Sequence, residues 1–205
     1  AVWADSVRNF KTTVIPSVYG RKIRISFSGY TKEETLTNFP VLVSLGEHLS
    51  GFNYYDCQPN GTDIRFMDVS ESTELNYEIE QWNTNGTSCI WVQIPQLTSN
   101  SSIWVYWNNS NATVTPPFTT NGTTWVNGYA GVWHLSSTNS YGQMLDSTAR
   151  GGNGINTSTT YDNGKIANGR LFNGSAYINA GDIMPLSSYT KMAWVSRSNT
   201  AAAAN

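Results

Sequence analysis

The sequence predicts an all-β protein whose first half forms an antiparallel β-sandwich. Three observations support this prediction: short runs alternate apolar with polar residues, segments rich in Asn, Gly, Ser and Thr separate the runs, and no run sustains a helical spacing of three and four. The clearest alternation lies between residues 60 and 107. Because successive side chains of a strand point to opposite faces, a period of two indicates strands that bury one face in a core.

Strands can be placed in order along the first half. We expect the first two over Lys22–Phe27 and Phe39–Leu45. Pro40 lies near the start of the second, where a missing N–H donor is tolerated. Residues 60–107 provide four more, which together are enough for a compact sandwich domain over residues 21–110. The side chains expected to face the core from these four are Ile64, Phe66, Leu75, Tyr77, Ile79, Ile90, Val92, Ile94, Ile103, Val105 and Trp107.

A second β unit is expected after a linker. Residues 111–128 contain Pro116-Pro117 within a run of Thr and Asn, which is typical of an interdomain linker. Asn173-Gly174 further along predicts a hairpin turn between two strands. The strands of this unit are expected over Tyr129–Leu135, Gly164–Phe172, Ala176–Ile178 and Met192–Val195.

The two ends of the chain are expected to lie outside these domains. Residues 1–20 are interpreted as an N-terminal arm, which is a strand of the chain's own sheet, a loose tail, or a strand that pairs with the sheet edge of a neighbouring subunit. Residues 129–199 offer fewer strands than a sandwich needs, so the second domain is expected to be partial. Residues 200–205 end in AAAAN and are interpreted as a placeholder or non-native tail.

Composition excludes some function classes and indicates a location. Charged residues make up 13% of the chain, against about 25% in typical globular domains. The net charge is −2 and Lys and Arg do not cluster, which argues against nucleic-acid binding. No apolar run approaches the roughly 20 residues of a membrane span. A surface made polar by Asn, Thr, Ser and Gly is typical of extracellular β-proteins, so we expect a secreted or cell-surface protein whose signal peptide has been removed.

An extracellular location bears on two covalent modifications. Cys57 and Cys89 are the chain's two cysteines, and an oxidising compartment favours a disulfide between them. Two separate buried thiols are the alternative. N-glycosylation is also expected to be possible, which would make the protein a glycoprotein. The acceptor sequence N-x-S/T begins at Asn60, Asn85, Asn100, Asn108, Asn111, Asn121, Asn156 and Asn173.

An exposed aromatic strip is the main candidate for ligand binding. Trp91, Trp104 and Tyr106 lie opposite the aliphatic side chains of their strands, and Trp82 is expected to join them. Such a strip stacks on sugar rings or is buried against a protein partner. A second core face, or packing beneath the loop Gly46–Gly61, is the alternative.

Calcium is the metal that the sequence favours. Asp146 precedes a loop rich in Gly and Asn, and carboxylate and carbonyl oxygens are the ligands that Ca²⁺ takes. Asp182 is a weaker companion ligand. Capping of a turn by Asp146 is the alternative that needs no metal. The two histidines, His48 and His134, lack the spacing of a zinc site, and no other cofactor is expected.

The chain is expected not to be an enzyme. Glu78 and Glu80 stand two apart on one strand face and hence about 6–7 Å apart, a separation that glycosidase acids also show. Acids on one strand point the same way, however, and do not bracket a bond. We expect instead a solvated strand face with Arg24 or Arg65 as the partner. A polysaccharide-acting enzyme is the weakest of the alternatives.

Two sets of motifs resemble known families. The first set runs in order through residues 21–108 and resembles the domain-of-unknown-function family 2341. Its motifs are Arg21-Lys22-Ile23, Phe39–Val43, Asn60–Phe66, Tyr77–Trp82, Trp91–Pro95 and Ile103–Asn108. The second set lies within residues 129–196 and resembles the first half of a laminin-G-like, concanavalin-A-like lectin jelly roll. Its motifs are Gly131–Leu135, Asp146-Ser147-Thr148, Gly164–Ile166, Leu171–Ser175 and Ala193–Val195.

These resemblances imply a location and a type of function. The pairing of the two domains is found in large secreted or surface-anchored bacterial and archaeal proteins, and in the extracytoplasmic part of some TolQ/ExbB-type proton-channel proteins. No catalytic activity is attached to the first family, and the second binds glycans or proteins, sometimes through calcium. The expected function is therefore adhesion, glycan binding or surface assembly, with a glycan or protein partner at the cell surface. Self-assembly through the N-terminal arm or strand edges, as in a filament subunit, and a channel-linked domain are the alternatives.

Overall fold

The computed structural model describes residues 15–27, 29–136, 138–183 and 188–197, and it confirms the all-β class. The α-helical content of this part of the chain is the single turn α1, Ile15–Val18. None of its helices has the length and apolar character that crossing a membrane requires. Most of the predicted N-terminal arm and the whole predicted tail lie outside the described residues.

Two three-stranded antiparallel sheets form the first half. Sheet 1 has the order β1-β6-β3 and sheet 2 the order β2-β5-β4. The strand bounds are Arg21–Ser26 for β1, Leu36–Leu45 for β2, Arg65–Met67 for β3, Tyr77–Gln81 for β4, Ser88–Leu97 for β5 and Ser102–Trp107 for β6. The predicted strands are therefore present, and strands that follow one another in sequence often lie in different sheets.

The core lies between the two sheets, as the alternation predicts. Ile90 and Val92 of β5 and Val105 and Trp107 of β6 are all fully buried in one cluster. Of the eleven side chains expected to face inward, Ile79 alone is only partly buried, and it too packs against the cluster. Each large apolar side chain buried in this way stabilises the fold by about 1.5–3 kcal/mol.

The connection between the two halves is packed rather than free. Residues 111–128, predicted to be a linker, form two short 3₁₀ helices, Pro117–Thr119 and Thr123–Trp125. The Gln93 amide of β5 donates hydrogen bonds to the carbonyl oxygens of Thr123 and Thr124 at 2.9 and 3.2 Å. Trp125 is buried and lies edge-on to Trp91, with ring centres 5.3 Å apart. This segment therefore covers the outer face of sheet 2.

The second β unit contains two small antiparallel sheets. Sheet 3 has the order β11-β8-β7 and sheet 4 the order β10-β9. The bounds are Gln143–Met144 for β7, Gly154–Thr157 for β8, Thr160–Asn163 for β9, Asn168–Leu171 for β10 and Tyr177–Asn179 for β11. Two of the predicted strands, Gly164–Phe172 and Ala176–Ile178, overlap with β10 and β11.

Three predictions for the second unit are wrong. Tyr129–Leu135 is not a strand, because the N–H of Val132 is bound by the Asp146 carboxylate and its carbonyl by Ser147 N–H. Met192–Val195 has no strand partner among the described residues and is exposed. The Asn173-Gly174 turn exists, but it does not join a hairpin: β10 pairs with β9 and β11 with β8. A turn motif specifies the local bend and does not specify which strands pair.

Candidate functional site

The outer face of sheet 2 carries a group of polar side chains that are largely withdrawn from solvent. Tyr77 enters the core from β4, so Glu78 and Glu80 point to the opposite face. In the ladder, Glu78 stands directly opposite Trp91 of β5. The residues around Trp125, His134 and Ser147 cover this face, which removes the two carboxylates from bulk solvent.

His134 lies between the two carboxylates. Its Nδ1 is 2.5 Å from Glu80 Oε2, and its Nε2 is 3.4 Å from Glu78 Oε1. The exposed fractions of the side chains are 2% for Glu80, 15% for His134 and 20% for Glu78. We call these three residues the Glu–His–Glu cluster.

Two indoles and one hydroxyl donate further hydrogen bonds to the cluster. Trp91 Nε1 donates to Glu80 Oε2 at 3.1 Å. Trp125 Nε1 donates to Glu78 Oε2 at 2.5 Å, and Ser147 Oγ donates to Glu78 Oε1 at 2.7 Å. The cluster therefore joins β4 and β5 of the sandwich to the connection and to the second unit.

The charges in the cluster stabilise one another. Burial alone would lower the pKa of His134, but its contacts with Glu78 and Glu80 outweigh burial and raise that pKa to about 9. Burial likewise raises the pKa of Glu78, while the hydrogen bonds from His134, Ser147 and Trp125 bring it below its ordinary value overall. An imidazolium held between carboxylates is therefore the charge state at neutral pH.

The expectation of a solvated Glu78–Glu80 face with an arginine partner is wrong. Arg24 donates to Ser102 Oγ at 2.7 Å, and Arg65 lies 3.5 Å from Glu74. Both belong to sheet 1, whereas β4 belongs to sheet 2, and the partner that reaches the two glutamates is His134. The glutamates are bound by protein donors, so the arrangement acts chemically as a junction between elements.

The four predicted ligand-binding aromatics lie in three separate places. Trp91 is covered by Trp125 and His134, so the expected alternative of a second packed face describes it. Trp104 and Tyr106 lie together on the outer face of sheet 1. Trp82 lies edge-on to Tyr54, with ring centres 5.3 Å apart, at one end of the sandwich. A single aromatic strip does not form, because β5 and β6 belong to different sheets.

Trp104 and Tyr106 are engaged by a charged pair. Lys22 Nζ lies 4.4 Å from the ring centre of Trp104, and the Tyr106 hydroxyl donates to the Glu71 carboxylate. Lys22 also forms a 2.8 Å ion pair with Glu71. The ring surface of Trp104 is therefore occupied by an ammonium group, as in other cation–π contacts.

Asp146 is satisfied by protein donors. Its carboxylate accepts from the N–H groups of Val132, Thr148 and Gly152 at 2.9–3.0 Å and from the Thr148 hydroxyl at 2.8 Å. These bonds are the turn capping expected as the alternative to calcium. Asp182 is exposed. No group of three or more His, Cys, Asp or Glu side chains suited to a metal occurs among the described residues. Calcium binding stays a prediction.

The predicted disulfide is wrong, since Cys57 and Cys89 are both free thiols. Ile90 enters the core from β5, so the neighbouring Cys89 points to the outer face of sheet 2, whereas Cys57 packs against the core cluster. The two side chains thus lie on opposite sides of a sheet. Burial, aided by the charges of Asp63 and Asp56, raises the pKa of Cys57 to about 12, which keeps it protonated and unreactive.

The predicted glycosylation acceptors are mostly accessible. Seven of the eight are exposed, and Asn156 is partly buried, with its Oδ1 accepting from the backbone N–H and the hydroxyl of Thr159. Accessibility permits attachment of a glycan, and the modification itself stays a prediction.

Sheet 3 presents a surface that sequence analysis missed. Met144 and Ile178 face inward, where a side chain at Gly154 would collide with Ile178. The opposite side of the sheet carries the directly paired residues Gln143, Ile155, Thr157, Tyr177 and Asn179, none of them charged. We call this set the open face. Ile155 and Tyr177 are each more than half exposed. The short strands alternate too briefly for periodicity to mark this face.

In the comparison with known proteins, one family model matches part of the chain. The model of the domain of unknown function DUF2341 matches residues 60–131. This range begins inside the resemblance described for residues 21–108 and runs on through the packed connection to Gly131. The match therefore supports the first resemblance and does not bear on the jelly roll. No curated protein and no solved structure matches the chain.

Proposed function

We propose that the protein is a non-catalytic adhesion or surface-assembly module that acts outside the cytoplasm by binding other macromolecules. The observation that supports this proposal is the open face of sheet 3. Isolated exposed apolar residues are ordinary, but contiguous ones on a flat sheet are typical of interaction sites. Tyr177 and Ile155 stand diagonally on neighbouring strands of one face, which is close enough for a common contact.

The second unit carries further exposed apolar side chains at positions close in sequence to the open face. Sheet 4 is a two-stranded hairpin whose strands pair only with each other among the described residues. An unpaired strand edge is a template for another strand. The large apolar side chains of the second unit that are about half exposed are Leu145, Ile155, Tyr161, Leu171, Phe172, Tyr177 and Tyr189.

We assign a second copy of this chain as the partner of the open face. A two-fold contact places a surface against itself, so it requires a surface without like charges. The five residues of the open face meet this requirement. The chain's net charge of −2 adds little general repulsion between copies.

The low content of charged residues, 13%, supports the proposed secreted or cell-surface location. The resemblance of residues 129–196 to a laminin-G-like jelly roll supports binding of glycans or proteins, with calcium as a further proposal at Asp146 and Asp182.

An extracytoplasmic domain of a TolQ/ExbB-type channel complex and a filament subunit are the alternatives, and both also require assembly with other chains. A polysaccharide-acting enzyme finds no support in the Glu–His–Glu cluster, whose acids are bound by protein donors.

Sedimentation velocity over a range of protein concentrations tests the proposal. The chain is expected to self-associate, and Tyr177→Ser is expected to weaken the association by about tenfold, since a buried aromatic at an interface contributes on the order of 1–2 kcal/mol. Tyr55→Ser is the matched control, because Tyr55 is an exposed tyrosine of the first half. A wild-type chain that stays monomeric throughout, or equal effects of the two substitutions, would contradict the proposal.

A further inference from the structure

We propose that a groove at one end of the sandwich binds a neutral carbohydrate chain. Two adjoining depressions, each about 370 Å³, share Tyr54 and Thr84. Trp82 forms a wall of the first depression. The second extends past Asn85 to His48. Each volume lies within the range of about 300–1,000 Å³ that is usual for small-molecule sites. Glycan binding was proposed above only through the resemblance of residues 129–196, whereas this site lies in the first half of the chain and does not depend on the open face.

The floor of the groove is rigid. The Tyr54 hydroxyl hydrogen-bonds to the Leu45 carbonyl and the Ser88 hydroxyl, both at 2.8 Å, and accepts from Ser88 N–H at 3.1 Å. Gly61 has a φ of +67°, and a Cβ there would lie 2.7 Å from the Trp82 ring. The indole is therefore held between Gly61 and Tyr54 before any ligand arrives. A site organised in advance loses less conformational entropy on binding.

The rim of the groove offers hydrogen-bonding groups that the protein does not use. The side chains of Gln58, Asn60, Thr84 and Asn85 make no hydrogen bond within the described part of the chain. The nearby Asn83, by contrast, uses its side-chain oxygen to accept from Asn85 N–H at 3.1 Å, which closes a turn. Amides and hydroxyls both donate and accept, as sugar hydroxyls do.

The charges around the groove define the class of carbohydrate. No Lys or Arg lines either depression, so sulfate, phosphate or uronic acid groups would find no cationic partner. Glu47 is the one acidic residue of the lining. The part of the Trp82 indole that lines the first depression, and is not covered by Gly61 and Tyr54, provides apolar surface against which the C–H face of a sugar ring packs. Neutral hexose and N-acetylhexosamine chains fit this combination of groups.

Titration of the full chain with four probes tests the proposal: cellohexaose, mannohexaose, galactohexaose and chitohexaose, followed by tryptophan fluorescence and calorimetry. At least one probe is expected to bind saturably. Thr84→Arg places a long charged side chain over both depressions and is expected to weaken binding by about tenfold or more. Trp82→Leu is expected to weaken it similarly. Thr120→Arg, at an exposed threonine of the connection, is the matched control and is expected to leave binding unchanged.

Three outcomes would overturn the proposal. The first is the failure of all four probes to bind at up to about 10 mM, a concentration well above the Kd of a weak site. The second is equal binding of a probe by Thr84→Arg and by the wild type. The third is a glycan located by peptide mass spectrometry on Asn60 or Asn85, because it would fill the groove covalently. Repeating the titration on Tyr177→Ser separates the two proposals, because this variant alters the open face and leaves the groove intact.

Discussion

Asp63 illustrates how one buried side chain fixes several loops. It is fully buried, and its carboxylate accepts from the backbone N–H groups of Gln58, Asn108 and Asn109 at 2.8, 2.9 and 3.2 Å. These donors come from both ends of the segment that contains β3 to β6. No local sequence pattern predicts this role of Asp63, because its donors lie up to 46 positions away.

Asp63→Ala is expected to lower the free energy of unfolding by about 2–4 kcal/mol, since it leaves buried N–H groups without an acceptor. Asp182→Ala removes an exposed carboxylate and is the control, with an expected change within about 0.5 kcal/mol. Urea unfolding followed by tryptophan fluorescence measures both. Equal midpoints for the two variants would show that the carboxylate does not hold these loops.

At the scale of elements, periodicity predicts the two faces of a strand but not its neighbours. Ile90, Val92 and Val105 face the core as expected, because alternation is a local property of each strand. Trp91 and Trp104 both point away from the core, but Trp91 lies on the outer face of sheet 2 and Trp104 on the outer face of sheet 1. The ladder that separates them pairs β5 with β2 and β6 with β1, a choice made by contacts distant in sequence.

Composition likewise fails to predict that the connection is packed against the sandwich. Its Thr, Asn and Pro content is that of a linker, and its packing depends on two aromatics, Phe118 against Tyr77 and Trp125 against Trp91. Gly122 has a φ of +84°, and a Cβ at this position would lie 2.2 Å from the backbone nitrogen of Ala149. The connection and the second unit therefore meet backbone to backbone at this glycine.

Gly122→Ala is expected to destabilise the protein by about 2–5 kcal/mol, through the left-handed backbone and the forced separation of the two segments. Gly128→Ala is a matched control, since Gly128 also has a positive φ, +78°, but open space around it. Its cost is expected to be about 1–2 kcal/mol from the backbone alone. Thermal unfolding gives both values. If Gly122→Ala costs no more than Gly128→Ala, the close approach does not contribute.

At the scale of the whole molecule, the Glu–His–Glu cluster joins the sandwich to the second unit. Glu80 and His134 are 54 positions apart in number and lie in motifs of two different resemblances, neither of which indicates that they pair. Their pairing follows from two facts that no local pattern contains: sheet 2 turns its outer face toward the connection, and the connection brings His134 back over it. The sequence does contain one signal of the cluster. In a chain with few charged residues, β4 places two carboxylates, those of Glu78 and Glu80, on its outward face.

The cluster makes the stability of the protein depend on pH in a defined window. The pKa of His134 is raised from 6.5 to about 9, so its contribution is fully present below about pH 6.5 and is lost as the pH rises through 9. Glu78 acts in the opposite range: its pKa is lowered from 4.5, so its contribution is present above pH 4.5 and is lost as the pH falls below that value. Burial, together with the charge of Glu80, raises the pKa of Cys89, so this thiol titrates less readily in this window than an exposed cysteine would.

The free energy of unfolding is therefore expected to fall between about pH 6.5 and 9, by on the order of 3 kcal/mol at most, since one pKa unit corresponds to about 1.4 kcal/mol. His134→Gln removes the titrating group and is expected to be less stable at pH 6 but to show a flat profile up to pH 9. His48→Gln substitutes the other of the chain's two histidines, which is exposed, and is expected to keep the wild-type slope. Urea unfolding at a series of pH values measures these slopes. If the free energy of unfolding of His134→Gln falls with pH as steeply as that of the wild type, a group other than His134 causes the pH dependence.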